Sequence, residues 1–295
     1  MNSLINATPS TSGAWVIRSE TSGFSAEDQA SLERAIAQLE RSSLAMRLSS
    51  LLGRQVGFIG SVFPAQILDV VNQAAEIAIK RALVLAVRSL EGRPVRDTRR
   101  LHKTVAVLAG AAGGAFGFSG LPVELPFTTT LMLRSIADIA RSEGEDLSQP
   151  TAAFACLEVF ALGGRCDAKE NLLQYAHLAG DPSVETGYFA VRGILAKSVT
   201  EAGRYLLERG LGDEAAPLLV RFVTQIGARF GVVVSQKLAA QSVPVIGAAC
   251  GAAINYAFVD HFQTLARGHF TILRLERLYG AAAVRAEYEQ LLKRT

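Results

Sequence analysis

The sequence predicts an all-α fold, a multi-helix bundle whose central helices are glycine-rich and tightly packed. Three observations predict it. No stretch sustains the period-two alternation of a half-buried strand; Val232-Val233-Val234 and Trp15-Val16-Ile17 are too short to count. Apolar residues recur instead at helical spacing between prolines and glycines, enough for about nine to eleven helices. Small residues also stand four apart in Gly53/Gly57, Gly110/Gly114, Gly113/Gly117, Gly227/Gly231 and Gly247/Gly251, a spacing that lets two helix backbones approach closely.

In chain order, residues 1–24 read as a flexible polar tail with no basic region leading into an apolar core, so no signal peptide is expected. Trp15-Val16-Ile17 is the part of it apolar enough to tuck against the body. Residues 25–295 read as one all-helical domain. Ser25-Ala26-Glu27-Asp28 forms a capping-box pattern, and Leu32, Ile36, Leu39, Ser43 and Met46 continue a helix to about Leu52. Pro64 opens a long helix to Leu90, with Gly92 as its cap.

The stretch Thr104–Arg141 organises the rest. It carries no charge from Thr104 to Val123, turns at Ser119-Gly120-Leu121-Pro122, and continues as helix with Glu124, Arg134 and Asp138 as its only charges before Arg141. Gly144 ends that helix, and Ser148-Gln149-Pro150 starts another that ends at Gly163-Gly164. After a mixed segment and the Asp181-Pro182 turn, Glu185–Gly210 reads as helix. Asp213 caps the next, through Val233, and Pro244 restarts the chain. A last helix is expected from about Thr271 to Leu292, broken near Gly280. Three glycine-bearing stretches, 53–63, 104–120 and 243–257, each precede an amphipathic helix, which suggests a degenerate repeat.

Composition narrows the function classes. The chain has 295 residues, 49% hydrophobic and 19% charged, with a mean hydropathy of +0.25 and a net charge of +3. That is apolar for a soluble protein, and the net charge is too small to argue for nucleic acid. Cys156, Cys166 and Cys250 form neither a disulfide framework nor a paired zinc spacing, which fits a reducing cytoplasm. The densest positive run, Arg93, Arg96, Arg99, Arg100 and Lys103, faces only Asp97. It is either a solvated loop or a contact for anionic lipid, because it abuts the uncharged Thr104–Val123 segment. No aromatic residues interleave with it, so no base-stacking groove is expected. Leu238–Val259 is uncharged as well. Both uncharged segments approach the ~20 residues that cross a bilayer, but their Ala, Gly, Ser, Thr, Gln and Asn gain little in hydrocarbon. A packed core or a shallow interfacial hairpin fits them better than a spanning helix.

Two polar sets are candidates for chemistry. Glu124, Arg134 and Asp138 lie in the central stretch, with Arg134 and Asp138 four apart and able to pair. Glu158 stands alone in the apolar FACLEVFAL and is a third candidate carboxylate. Asn255, Asp260, His261, Arg267 and His269 form the second set, with Asp260 and Arg267 on nearly one helix face. Glu124, Asp138, Glu158 and His261 are the candidate catalytic residues. Arg134, Asn255, Asp260 and Arg267 are the candidate binding residues, and each of these has a plain structural reading as well. No paired-His or Glu-x-x-His spacing appears, so no metal and no cofactor is expected. Gly-x-Ser-x-Gly is absent, and Gly110–Gly120 lacks both the Gly-Lys-Ser/Thr ending and the preceding strand of a phosphate loop.

The blocks GAFGFSGLPVELPFTTTLMLRSIADIARSEGEDL, ACLEVFALGG, YFAVR and PVIGAACGAAINYAFVDHFQTLARGHFTILRLERLYG resemble the bacterial EcsC family. The resemblance spans about Leu101–Gly164 and Glu185–Tyr288. It implies a bacterial protein that is cytoplasmic or peripheral at the inner face of the membrane, from a family named after a protein encoded beside an ABC transporter. It assigns no chemistry to Pro122, Glu124, Pro126, Arg134, Asp138, Glu158, Asn255, Asp260, His261 or Arg267, which carry the pattern.

The expected function is therefore a membrane-associated helical protein that binds anionic lipid or an apolar membrane partner, accessory to an ABC transporter, with Arg93, Arg96, Arg99, Arg100 and Lys103 as membrane contacts. The alternative is a hydrolase built on Glu124, Asp138, Glu158 and His261, with or without a metal.

Overall fold

Helix forms every regular element among the described residues, and no strand occurs there. The computed structural model describes residues 23–40, 43–52, 65–88, 121–163, 187–209, 217–241 and 248–294. They form α1 (Ala26–Glu40), α2 (Leu44–Leu52), α3 (Ala65–Arg88), α4 (Leu121–Ser142), α5 (Pro150–Leu162), α6 (Tyr188–Arg209), α7 (Pro217–Gln241), α8 (Ala248–Tyr279) and α9 (Ala281–Arg294). Trp15-Val16-Ile17 and most of the tail, the basic run Arg93–Lys103, the Thr104–Gly120 stretch, Gly53, Gly57, Gly247, Cys166 and Asp213 lie outside the described residues.

Local chemistry sets the boundaries. The Asp28 N–H donates to Ser25 Oγ at 3.1 Å, and the Ser25 hydroxyl donates to the Asp28 carboxylate at 2.9 Å, so the predicted cap is present. The single helix expected from there to Leu52 is two helices. Ser43 restarts the chain: its carbonyl accepts the Arg47 N–H at 3.2 Å and its Oγ lies 3.5 Å from the Met46 nitrogen. A serine offers the backbone this local alternative to continuing a helix. At the other extreme, α4 runs unbroken through Pro126. The proline falls in its second turn, so only a bond to an early carbonyl is lost, and the Thr130 hydroxyl donates to the Pro126 carbonyl at 2.9 Å.

Gly144, at φ +83°, closes α4. Its N–H bonds the Arg141 carbonyl and that of Glu145 bonds the Ala140 carbonyl, both at 3.0 Å, the two bonds of a Schellman end. The separate helix expected from Thr271 is absent. α8 passes through Thr271 without a break and stops at Gly280, at φ +86°, so the predicted break is present and the predicted start is not.

The short helix α5 is the centre. All of its residues except Thr151 are buried, which explains why it shows apolar character on every side. It packs against α3, α4, α6, α7 and α8. Phe160 of α5, Phe230 of α7 and Phe262 of α8 meet with ring centroids 5.2 to 5.6 Å apart, and Phe258 lies 5.3 Å from Phe262. α8 is the long partner, lying along α1, α2, α4 and α9 as well. The pair Gly227/Gly231 on α7 admits α3: a Cβ at Gly227 would lie 3.3 Å from Glu76 Cα, and one at Gly231 would lie 2.4 Å from Asn72 Oδ1.

Those contacts also fix direction. Gly227 beside Glu76 and Gly231 beside Asn72 make α3 and α7 antiparallel. Ser135 bonds Gln263 at 2.6 Å and Glu143 bonds Arg274 at 3.0 Å, so α4 and α8 run parallel. Asp28 pairs with Arg274 at 3.1 Å and Arg47 pairs with Asp260, so α1 and α2 together run antiparallel along α8. Glu124 of α4 meets Lys237 of α7. The amino ends of α3, α4 and α8 and the carboxyl ends of α2 and α7 therefore share one end of the bundle, here the proximal end.

Candidate functional site

At the opposite, distal half, α5, α6, α8 and the turn before α5 surround an open cleft of about 440 Å³. Its polar lining is Glu145, Thr151, Glu158, Arg192, Thr200, Glu276 and Arg277. Its apolar lining is small, chiefly Ala152, Ala155, Ala196 and Val199, with Leu273.

The charges in the cleft are unequally matched. The Arg192 guanidinium donates to both oxygens of Glu276, at 2.8 and 3.1 Å, a bidentate pair. It also stacks 5.4 Å above the Tyr188 ring. Arg277 pairs with Glu145 and donates to the Glu143 carbonyl at 2.7 Å. Among the described residues Glu158 has no such partner. Its nearest ionisable neighbour is His269, with Nε2 3.8 Å from Glu158 Oε2. Burial pushes the Glu158 carboxyl up to about 7, against a pull downward from Arg192 and a further push from Glu276.

Behind Glu158 lies a buried polar chain. The Tyr188 hydroxyl is 2.9 Å from His269 Nδ1. Burial raises the Tyr188 phenol and lowers His269 well below the usual imidazole range. A protonated phenol donating to a neutral imidazole leaves the ring proton on Nε2, which faces Glu158. Glu40, at the end of α1, fixes this chain from outside. Its Oε1 accepts the Tyr188 backbone N–H at 2.9 Å and the Tyr288 hydroxyl at 2.7 Å, a carboxylate placed on the first turn of α6. Gly187 is required here: at φ +123° a Cβ would also lie 2.6 Å from Glu40 Oε1.

The four candidate catalytic residues do not form one site. Only Glu158 lines the cleft. Glu124 accepts the Lys237 ammonium at 2.6 Å, with both side chains more than nine-tenths buried and the Lys237 Nζ 5.0 Å over the Phe258 ring. Burial lowers Lys237 despite Glu124. Asp138 shares a face of α4 with Glu124 but lies about 21 Å further along the axis, 3.9 Å from Arg141, while Arg134 is exposed. His261 is buried between helices, and burial, then Arg47, lowers it to about 4 against the pull of the Gly163 backbone and Asp260. It stands eight residues from His269, so the imidazole beside Glu158 is His269 instead of His261.

The second polar set divides in the same way. Asp260 pairs with Arg47, and the Thr264 hydroxyl accepts from Arg267 at 3.3 Å and from Arg47 at 3.5 Å. Asn255 is fully buried on α8 near the proximal end. Among the described residues no three His, Cys, Asp or Glu side chains come together as a metal would require. Burial raises the Cys156 thiol on α5. Sequence reasoning missed Lys237, Tyr188, Arg192 and Glu276. Lys237 had a signal, as the one charge in FGVVVSQKLAAQ, and Tyr188 and Arg192 bound the YFAVR block.

Comparison with known proteins adds a family. No curated protein and no solved structure matches the chain. The model of the EcsC protein family matches residues 33–275. The match begins inside α1, earlier than the resembling blocks, runs through the Cys166–Asp181 segment that those blocks omit, and stops before α9. It covers well over half of the sequence and contains Glu158, Tyr188, Arg192, Lys237 and His269, and the chain therefore belongs to the EcsC protein family.

Proposed function

We propose that the protein docks peripherally on an anionic membrane surface through its proximal end. The observation that carries this reading is the convergence of five helix ends on one side of the bundle. In sequence, the stretches next to those helix ends, 53–64, 104–120 and 242–247, contain one charged residue between them, Arg54. Exposed apolar side chains accompany them: Met46, Leu51, Val70, Phe127 and Tyr256. Each lies within about 12 Å, along its helix, of an end at this face. Exposed apolar side chains that recur at one end of a bundle suit an interaction surface.

Shallow docking suits the composition better than spanning. Among the described residues α7 alone is long and apolar enough to cross a bilayer, and more than half of its most apolar window is buried inside the bundle. The basic run Arg93–Lys103 follows α3, whose carboxyl end is distal, and precedes the uncharged Thr104–Val123 stretch in sequence; it is the candidate for the electrostatic part. A role beside a membrane transporter would use the same face. The hydrolase alternative is not carried forward, because Glu124, Asp138, Glu158 and His261 occupy separate surroundings.

The test is cosedimentation with vesicles of phosphatidylglycerol and phosphatidylcholine against phosphatidylcholine alone. Binding is expected to the anionic vesicles, to weaken at high salt, to fall with Arg96, Arg99 and Arg100 replaced by Glu, and to fall with Val70→Asp plus Phe127→Asp. Binding unchanged by the last pair overturns the assignment of this face.

A further inference from the structure

The distal cleft is separate from the docking face, and its charges point to a ligand. We propose that it binds a compact organic cation, a primary ammonium on a short alkyl body, with the Glu158 carboxylate as its counter-ion. Three features carry this. First, among the described residues the cleft offers nothing to an anion, because each guanidinium facing it is already held: Arg192 by both oxygens of Glu276, and Arg277 by Glu145 and the Glu143 carbonyl. Second, Glu158 is a carboxyl only 7% exposed that lines the cleft and, among the described residues, makes no hydrogen bond and has only the 3.8 Å approach of His269. A buried carboxylate in that position is unstable until a cation or a donor reaches it. Third, the rest of the wall suits an ammonium on a short chain. Thr151 and Thr200 bring hydroxyls, and Ala152, Ala155, Ala196, Val199 and Leu273 leave room for methylenes.

A divalent metal is a poorer fit than an organic cation. Glu276 and Glu145 are occupied by arginines, so one carboxylate remains where such an ion takes several ligands. The cleft volume lies within the range of small-molecule sites, which run from about 300 to 1,000 Å³.

Binding should be tied to ionisation. The groups facing Glu158 are Tyr188 and Arg192 from α6, His269, Glu276 and Arg277 from α8, and Glu145 from the turn before α5. Glu158 itself titrates at about 7, with burial as the main cause. The ammonium competes with a proton for the same oxygens, so apparent affinity follows the ionised fraction. Between pH 6 and pH 8 that fraction rises about tenfold.

The experiment is calorimetric titration of the full chain with n-butylammonium, with 1-butanol and butyrate as neutral and anionic counterparts, at pH 6 and pH 8. The expected result is binding of the ammonium alone, about tenfold tighter at pH 8, and abolished by Glu158→Gln at both pH values. Arg192→Lys, which keeps the charge but loses the bidentate grip on Glu276, should weaken binding less than Glu158→Gln. Equal binding of the alcohol, no pH dependence in the unaltered protein, or no heat from the ammonium at millimolar concentration would each overturn the proposal. The pH comparison on the unaltered protein stands even if Glu158→Gln folds poorly. Potassium chloride included at the same ionic strength separates an ammonium site from a general cation site, and equal displacement by potassium counts against it.

Discussion

Replacing Glu158 with Gln should stabilise the fold at alkaline pH and leave it nearly unchanged in acid. The carboxyl rises from 4.5 in the open chain to about 7 in the folded protein, chiefly because it is buried. The folded state therefore holds a proton that the unfolded state releases between those values, and stability falls as pH rises through that window. Below pH 4.5 both states are protonated and the residue costs nothing. Above pH 7 the full penalty applies: 2.5 decades at roughly 1.4 kcal/mol each, or about 3 kcal/mol. Gln fills the same space without charge and removes most of that penalty. Urea unfolding of both proteins at pH 4.5, 6 and 8 measures the difference. The expected gain grows from near zero to about 2 to 3 kcal/mol across the series. His261 shifts the baseline in the opposite sense, since an imidazole lowered to about 4 makes the fold lose stability as pH drops below 6.5. It does so in both proteins and cancels in the comparison. A loss of stability on substitution at pH 8, or a difference independent of pH, would refute the reasoning. It would mean that Glu158 is held by a partner and not merely enclosed.

Two further perturbations address the core. Lys237→Met leaves Glu124 buried with no counter-charge and should cost about 3 to 5 kcal/mol. Adding Glu124→Gln should return most of that, and a urea double-mutant cycle in which the two changes simply add would exclude coupling across the 2.6 Å pair. Gly163→Ala sets a methyl 2.7 Å from Phe262 Cε1, in a ring cluster with no slack. The backbone there, at φ −66°, accepts alanine, so overpacking alone should cost about 1 to 3 kcal/mol, and Phe262→Leu in the same chain should recover part of it. A melting temperature unchanged by Gly163→Ala would show that the ring gives way freely.

The fold was legible because its signals are local. Ser25 with Asp28, Gly144, Gln149-Pro150 and Gly280 all sit where helix ends are, and each acts through neighbours within a few residues. The misread boundaries have local explanations that tertiary contact overrides. Ser43 is compatible with a helix interior until Glu40 is engaged by Tyr188 and Tyr288 from two other helices. Gly268 is a weak spot in an isolated helix, but here the missing side chain lets α1 in, with Leu39 Cγ 2.7 Å from where a Cβ would be. The candidate site was less legible because a carboxylate in an apolar helix announces burial without naming its partner. FACLEVFAL identifies Glu158, but only the packing of α8 decides that His269 and not His261 faces it. Periodicity put Glu124 and Asp138 on one face and said nothing of the 113 residues that separate Glu124 from Lys237 in sequence.

α8 has one consequence beyond packing. At 32 residues it is a single rod about 48 Å long. Tyr256 stands exposed toward one tip and Glu276 guards the cleft toward the other, about 30 Å away. One uninterrupted backbone therefore carries both the proximal face and a wall of the cleft, and a rigid-body displacement of this helix would move the two together.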